Sequence, residues 1–327
     1  SRDPVLGDGF IGGQPEAVLF TLDGSGVVEL APGSYQAVAS RGIEYEIDVS
    51  PVFTVSEDQA ADLDFVLDHS VDTTGWVSAD LHVHAQASHD SGVLLADRVR
   101  TMVSEGVEFF SSTDHDYLVD YAPTVEALGM EEWVQTAVGN ETTTVEVGHF
   151  LGFPLAQDFV SEAGGGREEV DWTGKTPGEI VDSLRLMGEM GGHDPAIFVG
   201  HPRDGILGYF DQYAVNPYKD NGGDVYLDDS TLAVLSGNEL LDKVNFTMEF
   251  DAMEVLNGKR MELIRTPTAP ELADYKAGGN TDQVDMFVRT MDEQLDLEDG
   301  TYTLGYGYEG VVDDWFTLNN LGYRITA

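Results

Sequence analysis

The spacing of apolar positions changes near residue 75. Before it, the short apolar runs Ala17 to Phe20 and Val27 to Leu30 are bounded by Gly, Asp and Pro. Ala31-Pro32-Gly33-Ser34 is a turn signal ahead of Tyr35 to Ser40. Glu44 to Val49 and Leu63 to Leu67 alternate apolar and polar residues, as half-buried strands do. Short strands at this spacing predict a small β-sandwich-like domain over residues 1–75. Its first strands are expected to be incomplete, because the sequence opens abruptly at Ser1-Arg2-Asp3.

From Trp76 strands and helices alternate. Val77 to Val83 reads as a strand, Val93 to Glu105 as an amphipathic helix with Leu94, Leu95, Val99, Met102 and Val103 on one side, and Gly106 as its stop. Val107 to Ser111, Val134 to Val138, Val145 to Phe153, Ala196 to Val199 and Ala252 to Leu256 read as further strands. Thr176-Pro177-Gly178-Glu179 has the form of a capping box opening a helix to about Met190. Leu232 to Val244, Thr281 to Leu295 and Val311 to Leu321 read as helices, and Tyr323 to Ala327 as the start of a last strand. Such β-α units predict a parallel barrel or an open α/β sheet over residues 76–327. Gly164-Gly165-Gly166 and Asn221-Gly222-Gly223 read as surface loops, since neither opens a helix directly after a strand.

Charge narrows the range of partners. The 327 residues carry 16 Lys and Arg against 60 Asp and Glu, a formal net charge of −44. Such a surface repels nucleic-acid phosphates, so no nucleic-acid partner is expected. A phosphorylated substrate would bind only where metal ions reverse the field locally. No run approaches the roughly 20 apolar residues of a membrane span. The absence of cysteine removes disulfides, thiolate metal sites and thiol nucleophiles together. The acidity and the style of the N-terminal region favour an extracellular or periplasmic location. Oligomeric state is not legible.

Most of the eight histidines stand at predicted strand ends beside acids. In Asp80-Leu81-His82-Val83-His84, His82 and His84 share one strand face, as two imidazoles holding one ion must. Alone, His-x-His equally describes a solvated strand face. Ser112-Thr113-Asp114-His115-Asp116 follows the strand ending at Ser111, at the carboxyl end where α/β sites form, although a helix cap would look the same. Glu141, in Gly139-Asn140-Glu141, and His201, in Gly200-His201-Pro202-Arg203, also follow strands; His149 lies inside one, where a lone histidine is commonly a core residue. The conjunction of imidazoles and carboxylates is the donor set of zinc, manganese or iron.

In that order, Asp80-Leu81-His82-Val83-His84, Thr113-Asp114-His115, Gly139-Asn140-Glu141 and Gly200-His201-Pro202 resemble the successive motifs of the polymerase and histidinol phosphatase (PHP) superfamily. Gly148-His149-Phe150-Leu151-Gly152-Phe153-Pro154 and the run Gly75-Trp76-Val77-Ser78-Ala79-Asp80 are similar to its carbaryl-hydrolase-like branch. The resemblance implies an α/β fold, a distorted (β/α)7 barrel after the small β domain. It implies two or three divalent ions (Zn, Mn or Fe) held by His82, His84, His115, His149 and His201, with Glu141 bridging two of them. A further ligand is expected five or six residues after His84, at His89 or Asp90, with His89 preferred. The family's late Asp-x-His has no counterpart after His201, and the expectation is that the sequence stops just short of it.

The implied activity is hydrolysis of a small phosphoester, carbamate or related ester by a metal-bridging hydroxide. Asp114 is the candidate to orient His115 or handle a proton. Arg203 is the candidate to hold a substrate anion, with an ion pair to one of the many acids as its alternative. Two rival readings are an amidohydrolase-type barrel, which also opens with His-x-His but for which no lysine ends a clear barrel strand, and a non-catalytic exported binding or surface protein with a degenerate barrel.

Overall fold

A computed structural model describes residues 16–21, 24–157, 172–204, 207–216, 221–227, 238–255 and 310–327. The expected helix Thr281 to Leu295 and the loop at 164–166 lie outside these residues. The chain divides into two compact units, Ser1–Asp114 with Val119–Val138, and His115–Leu118 with Gly139–Ala327. The expected boundary at residue 75 falls inside the first. Helices and sheets are mixed, and no ring of strands closes among the described residues.

The first unit begins with an antiparallel ribbon. Strand β1 (Gly33–Tyr35) pairs with β4 (Phe53–Val55), and β2 (Val38–Ala39) with β3 (Asp48–Val49). Tyr35 faces Phe53 while Val38 faces Val49, so the second chain carries one extra residue, a bulge beside Pro51. Proline has no N–H to give the ladder, and the neighbouring Ser50 compensates. Its N–H donates to the Ala37 carbonyl at 2.9 Å, and its Oγ accepts the Ala37 N–H at 2.9 Å. A bridge between Tyr45 and His69 adds a third chain. The expected strands Ala17 to Phe20 and Val27 to Leu30 form no ladder, and Leu63 to Leu67 is tied only by the Val66 N–H on Asp48 Oδ2. Val27 and Val66 are 89% and 70% exposed: apolar runs with no second layer to cover them. The ribbon is anchored by Arg41, whose guanidinium lies over the rings of Tyr45 and Trp133. At Gly42 (φ 75°), an added Cβ would sit 1.9 Å from the Glu105 carbonyl oxygen, so only glycine allows this approach.

Three parallel strands follow in the order β5 (Ala79–Val83), β6 (Phe109–Ser112), β7 (Gln135–Val138). Helix α1 (Leu95–Ser104) connects the first two and α2 (Ala122–Leu128), not foreseen from the sequence, the next two. Val99 and Met102 of α1 and Val125 of α2 bury against Val83, Phe110 and Tyr121 in one core.

The second unit holds a four-stranded mixed sheet: β8 (Asn140–Thr144), β9 (Gly148–Phe153), β10 (Ala196–Val199) and β11 (Ala252–Met253), adjacent in that order. The single strand expected over Val145 to Phe153 is instead the second arm of a hairpin, and Glu141 lies within the first arm rather than at the end of the preceding strand. Thr144 makes the turn, its Oγ1 accepting the N–H groups of Glu146 and Val147. Helix α3 (Pro177–Met190) starts on the full capping box of Thr176 and Glu179 and buries Ile180, Val181, Leu184 and Met187. A short helix α4 (Tyr209–Gln212) follows. Of the helix expected over Leu232 to Val244, residues 238–244 form two 3-10 turns, because the side chains of Asn238 and Asp242 each cap a new start. Helix α5 is Gly310–Asn320, and Thr326 bridges Ala252 at the sheet edge. No helix of the described residues is long and apolar enough to cross a membrane.

Candidate metal centre

In the second unit, neighbouring chain segments each contribute one group to a row. His115 bridges Glu141 in parallel sense, outside β8. Glu141 is on β8 and His149 on β9, and their registers, Glu141 with Leu151 and Thr143 with His149, put both on one face of the hairpin. His201 follows β10, and Glu254 follows β11. Gly148, beside His149, has φ 93°, and an added Cβ would lie 2.5 Å from the Tyr209 Cα; a side chain there would push this part of β9 off its neighbour.

Glu141, with no solvent exposure, is the hub. Its Oε1 lies 2.8 Å from His149 Nδ1 and 3.1 Å from His201 Nε2, and its Oε2 lies 2.8 Å from His115 Nδ1. His149 Nδ1 and His201 Nε2 are 3.2 Å apart. The two nitrogens thus face the same carboxylate oxygen. The triangle of 2.8, 3.1 and 3.2 Å matches the face of a tetrahedron about an ion held at roughly 2.0–2.1 Å, whose edge is about 3.3 Å. A cation would relieve the crowding of lone pairs. Burial pushes the His149 imidazole pKa down, against the pull of Glu141 and with the aid of His201 and His115, so the ring is held neutral, as a ligand must be. Its Nε2 is buried and has no hydrogen-bond partner among the described residues, so the ring is held from its Nδ1 side. His115, Glu141 and His149 alone bring three donor atoms within 4.8 Å of one another.

The first unit places His82 and His84 together. Their rings are 4.9 Å apart, and both side chains are half-buried. The His82 N–H donates to Asp80 Oδ1, and His84 Nδ1 lies 3.0 Å from Ser88 Oγ. The backbone is pinned by Arg98, whose Nε donates to the His84 carbonyl at 2.8 Å. Of the two candidates beyond His84, both exposed, Asp90 has its Oδ1 4.0 Å from His84 Nδ1.

Asp114 is fully buried and braces this loop. Its Oδ1 accepts the Ala85 N–H at 2.8 Å, and its Oδ2 is 3.4 Å from the Tyr121 hydroxyl. Burial pushes its carboxyl pKa up, against the Ala85 hydrogen bond and the nearby His84. For Arg203 the structure gives the ion-pair alternative. Its Nε and Nη2 donate to the two oxygens of Asp314 on α5 at 2.7 and 2.6 Å, and Nη1 reaches Asp211 at 3.2 Å. The side chain is 1% exposed, so it is built into the fold rather than offered to a substrate.

Three residues of this neighbourhood escaped the sequence reading. Thr143 Oγ1 contacts His115 Nδ1, Asp204 Oδ2 lies 3.5 Å from His201 Nδ1, and Glu254 Oε2 accepts the His201 N–H at 2.6 Å. Glu254 falls inside the strand expected over Ala252 to Leu256, whereas β11 ends at Met253 and leaves Glu254 just beyond it. No protein-family model matches the chain, and no curated protein matches it.

Proposed function

We propose that this chain is a metal-dependent hydrolase of small phosphoesters, carbamates or related esters, built on a distorted β/α barrel of the PHP type. The observation that carries the reading is the placement of three imidazole nitrogens on the two oxygens of one buried carboxylate, His149 and His201 on Oε1 and His115 on Oε2. A carboxylate approached from both oxygens is the arrangement that bridges a pair of ions. The resemblance in sequence adds His82 and His84 to the ligand set, and we take Asp90 in place of His89. Bound ions would supply a hydroxide near neutral pH and stabilise negative charge on the attacked group. The chain's own part is to keep the imidazoles neutral, fix their orientation and exclude water. The acidic surface suits an extracellular or periplasmic setting.

Metal analysis of the purified chain after dialysis against zinc or manganese, with a hydrolysis panel of aryl phosphomonoesters, phosphodiesters, carbamates and carboxyl esters, tests the reading. Two or three ions per chain and turnover abolished by a chelator are expected. A chain that takes up no ion under these conditions overturns it.

A further inference from the structure

His201 differs from the other candidate ligands in how its backbone is held. Its φ is 26°, a positive value that a residue with a Cβ adopts only under strain. Such a conformation persists only where the surroundings impose it. The Glu254 carboxylate accepts the His201 N–H at 2.6 Å, and the Glu254 N–H in turn donates to the Val199 carbonyl at 2.9 Å. One residue thus closes the ladder between β10 and β11 with its backbone and grips the residue beyond β10 with its side chain. The ring has a second carboxylate at its far nitrogen: Asp204 Oδ2 is 3.5 Å from Nδ1, an ion-pair separation that a small turn of the ring would convert to a hydrogen bond, and Asp204 is 5% exposed. An acid at Nδ1 favours the tautomer with its proton there, which leaves the lone pair of Nε2 toward His149 Nδ1 and Glu141 Oε1. The segment between is immobilised by Arg203, clamped bidentately by Asp314.

We infer that Glu254 and Asp204 are the positioning residues of His201: Glu254 sets the backbone, and Asp204 sets the tautomer that presents Nε2 to the centre. The inference rests on the metal-site reading above. Each carboxylate meets His201 directly, Glu254 at its backbone N–H and Asp204 at its ring.

The test uses the full chain with zinc alone as probe. Chelator competition gives the zinc affinity, the visible spectrum of the cobalt-substituted protein gives coordination geometry, and nitrogen-15 NMR of the metal-free protein gives the His201 tautomer. Glu254→Ala and Asp204→Ala are compared with Glu254→Gln and Asp204→Asn. Glu254→Gln keeps an acceptor oxygen for the His201 N–H and is expected to retain most of the affinity. Glu254→Ala and both Asp204 variants are expected to weaken zinc by about 10–100-fold, the usual loss when a group that orients a ligand is removed. Their cobalt spectra should change, and the Asp204 variants should shift the ring proton away from Nδ1. If an alanine variant does not fold, Glu254→Gln and Asp204→Asn decide through tautomer and spectrum. Wild-type zinc affinity and spectrum in all four overturn the inference. A wild-type chain that takes up no ion overturns the functional reading instead, and the tautomer measurement still decides the Asp204 part, since a ring protonated at Nε2 in the wild type refutes it.

Discussion

Histidines beside β5 and histidines around β9 are the same residue type in two different settings. His82 and His84 are half-buried, and Asp80, Ser88 and Asp90, a few residues away in sequence, stand beside them. His149 and His201 are 2% and 7% exposed, and Glu141 and Glu254 reach them across the sheet, with Asp204 as a local neighbour of His201. Local partners orient a ring cheaply but leave it room to turn. Cross-strand partners fix it as firmly as the sheet itself, and any unmatched lone pair there costs stability. The sheet therefore holds the second group more firmly than local contacts hold the first.

The largest effect that could sharpen this contrast lies in the buried framework. Arg203→Ala would strand the buried carboxylates of Asp314 and Asp211, and a loss of about 3–5 kcal/mol in chemical denaturation is expected. Arg185→Ala, which breaks the half-exposed pair with Asp251, should cost no more than about 1 kcal/mol. Equal losses would mean that burial does not separate the two pairs. Next is Glu141→Gln. The amide keeps the shape but loses the charge and one acceptor, and zinc affinity should fall by more than about 100-fold, beyond the loss expected for an orienting group. Retained stoichiometry would contradict the bridging role.

His82→Ala provides the counterpart at smaller scale. Metal-free stability should stay within about 0.5 kcal/mol of wild type, as for a substitution outside the core, while metal content falls. A large loss of metal-free stability would erase the difference between the two settings. Thr176→Ala, remote from both, should cost about 1 kcal/mol through the lost helix cap. The smallest expected effect is in pH dependence. The backbone and hydroxyl of Thr176 hold the Glu179 carboxyl pKa below its usual value. Its contribution is therefore complete above the unfolded carboxylate range and is lost as pH falls through the lowered folded value. Glu179→Gln should flatten the acid limb of the stability profile slightly; an unchanged limb would remove Glu179 from the account.

Much of the fold was legible where local chemistry is self-contained. The capping box of Thr176 and Glu179, the strand Ala196–Val199 and the one-sided face of α1 are each determined by residues close in sequence. The hairpin was not. Asn140–Thr144 consists of polar residues, yet most are buried, because the strand faces inward at a site that polar groups line. A reading based on hydropathy passes over such a strand and assigns its apolar neighbour Val145, which is 59% exposed at the turn, to the next one. His115, Glu141 and His201 were found because imidazoles and acids after strands are chemically conspicuous. Glu254 was passed over because it fell inside the expected strand Ala252 to Leu256, and a lone acid in so acidic a chain attracts no notice. Arg203 could not be resolved from sequence, since its partner Asp314 stands far along the chain.

The hairpin of β8 and β9 also bears on the order in which the centre assembles. Glu141 and His149 are eight residues apart, whereas His201 stands sixty residues from Glu141. Hairpins close in about 1–10 μs, while pairings between distant segments must first meet the entropy of a long loop. Two donors are thus expected to come together early in folding, on a turn that Thr144 and Gly148 shape. An ion captured at that stage would act as a template, drawing the later imidazole onto a partly built centre. Refolding in the presence of zinc should then be faster than refolding in a chelator.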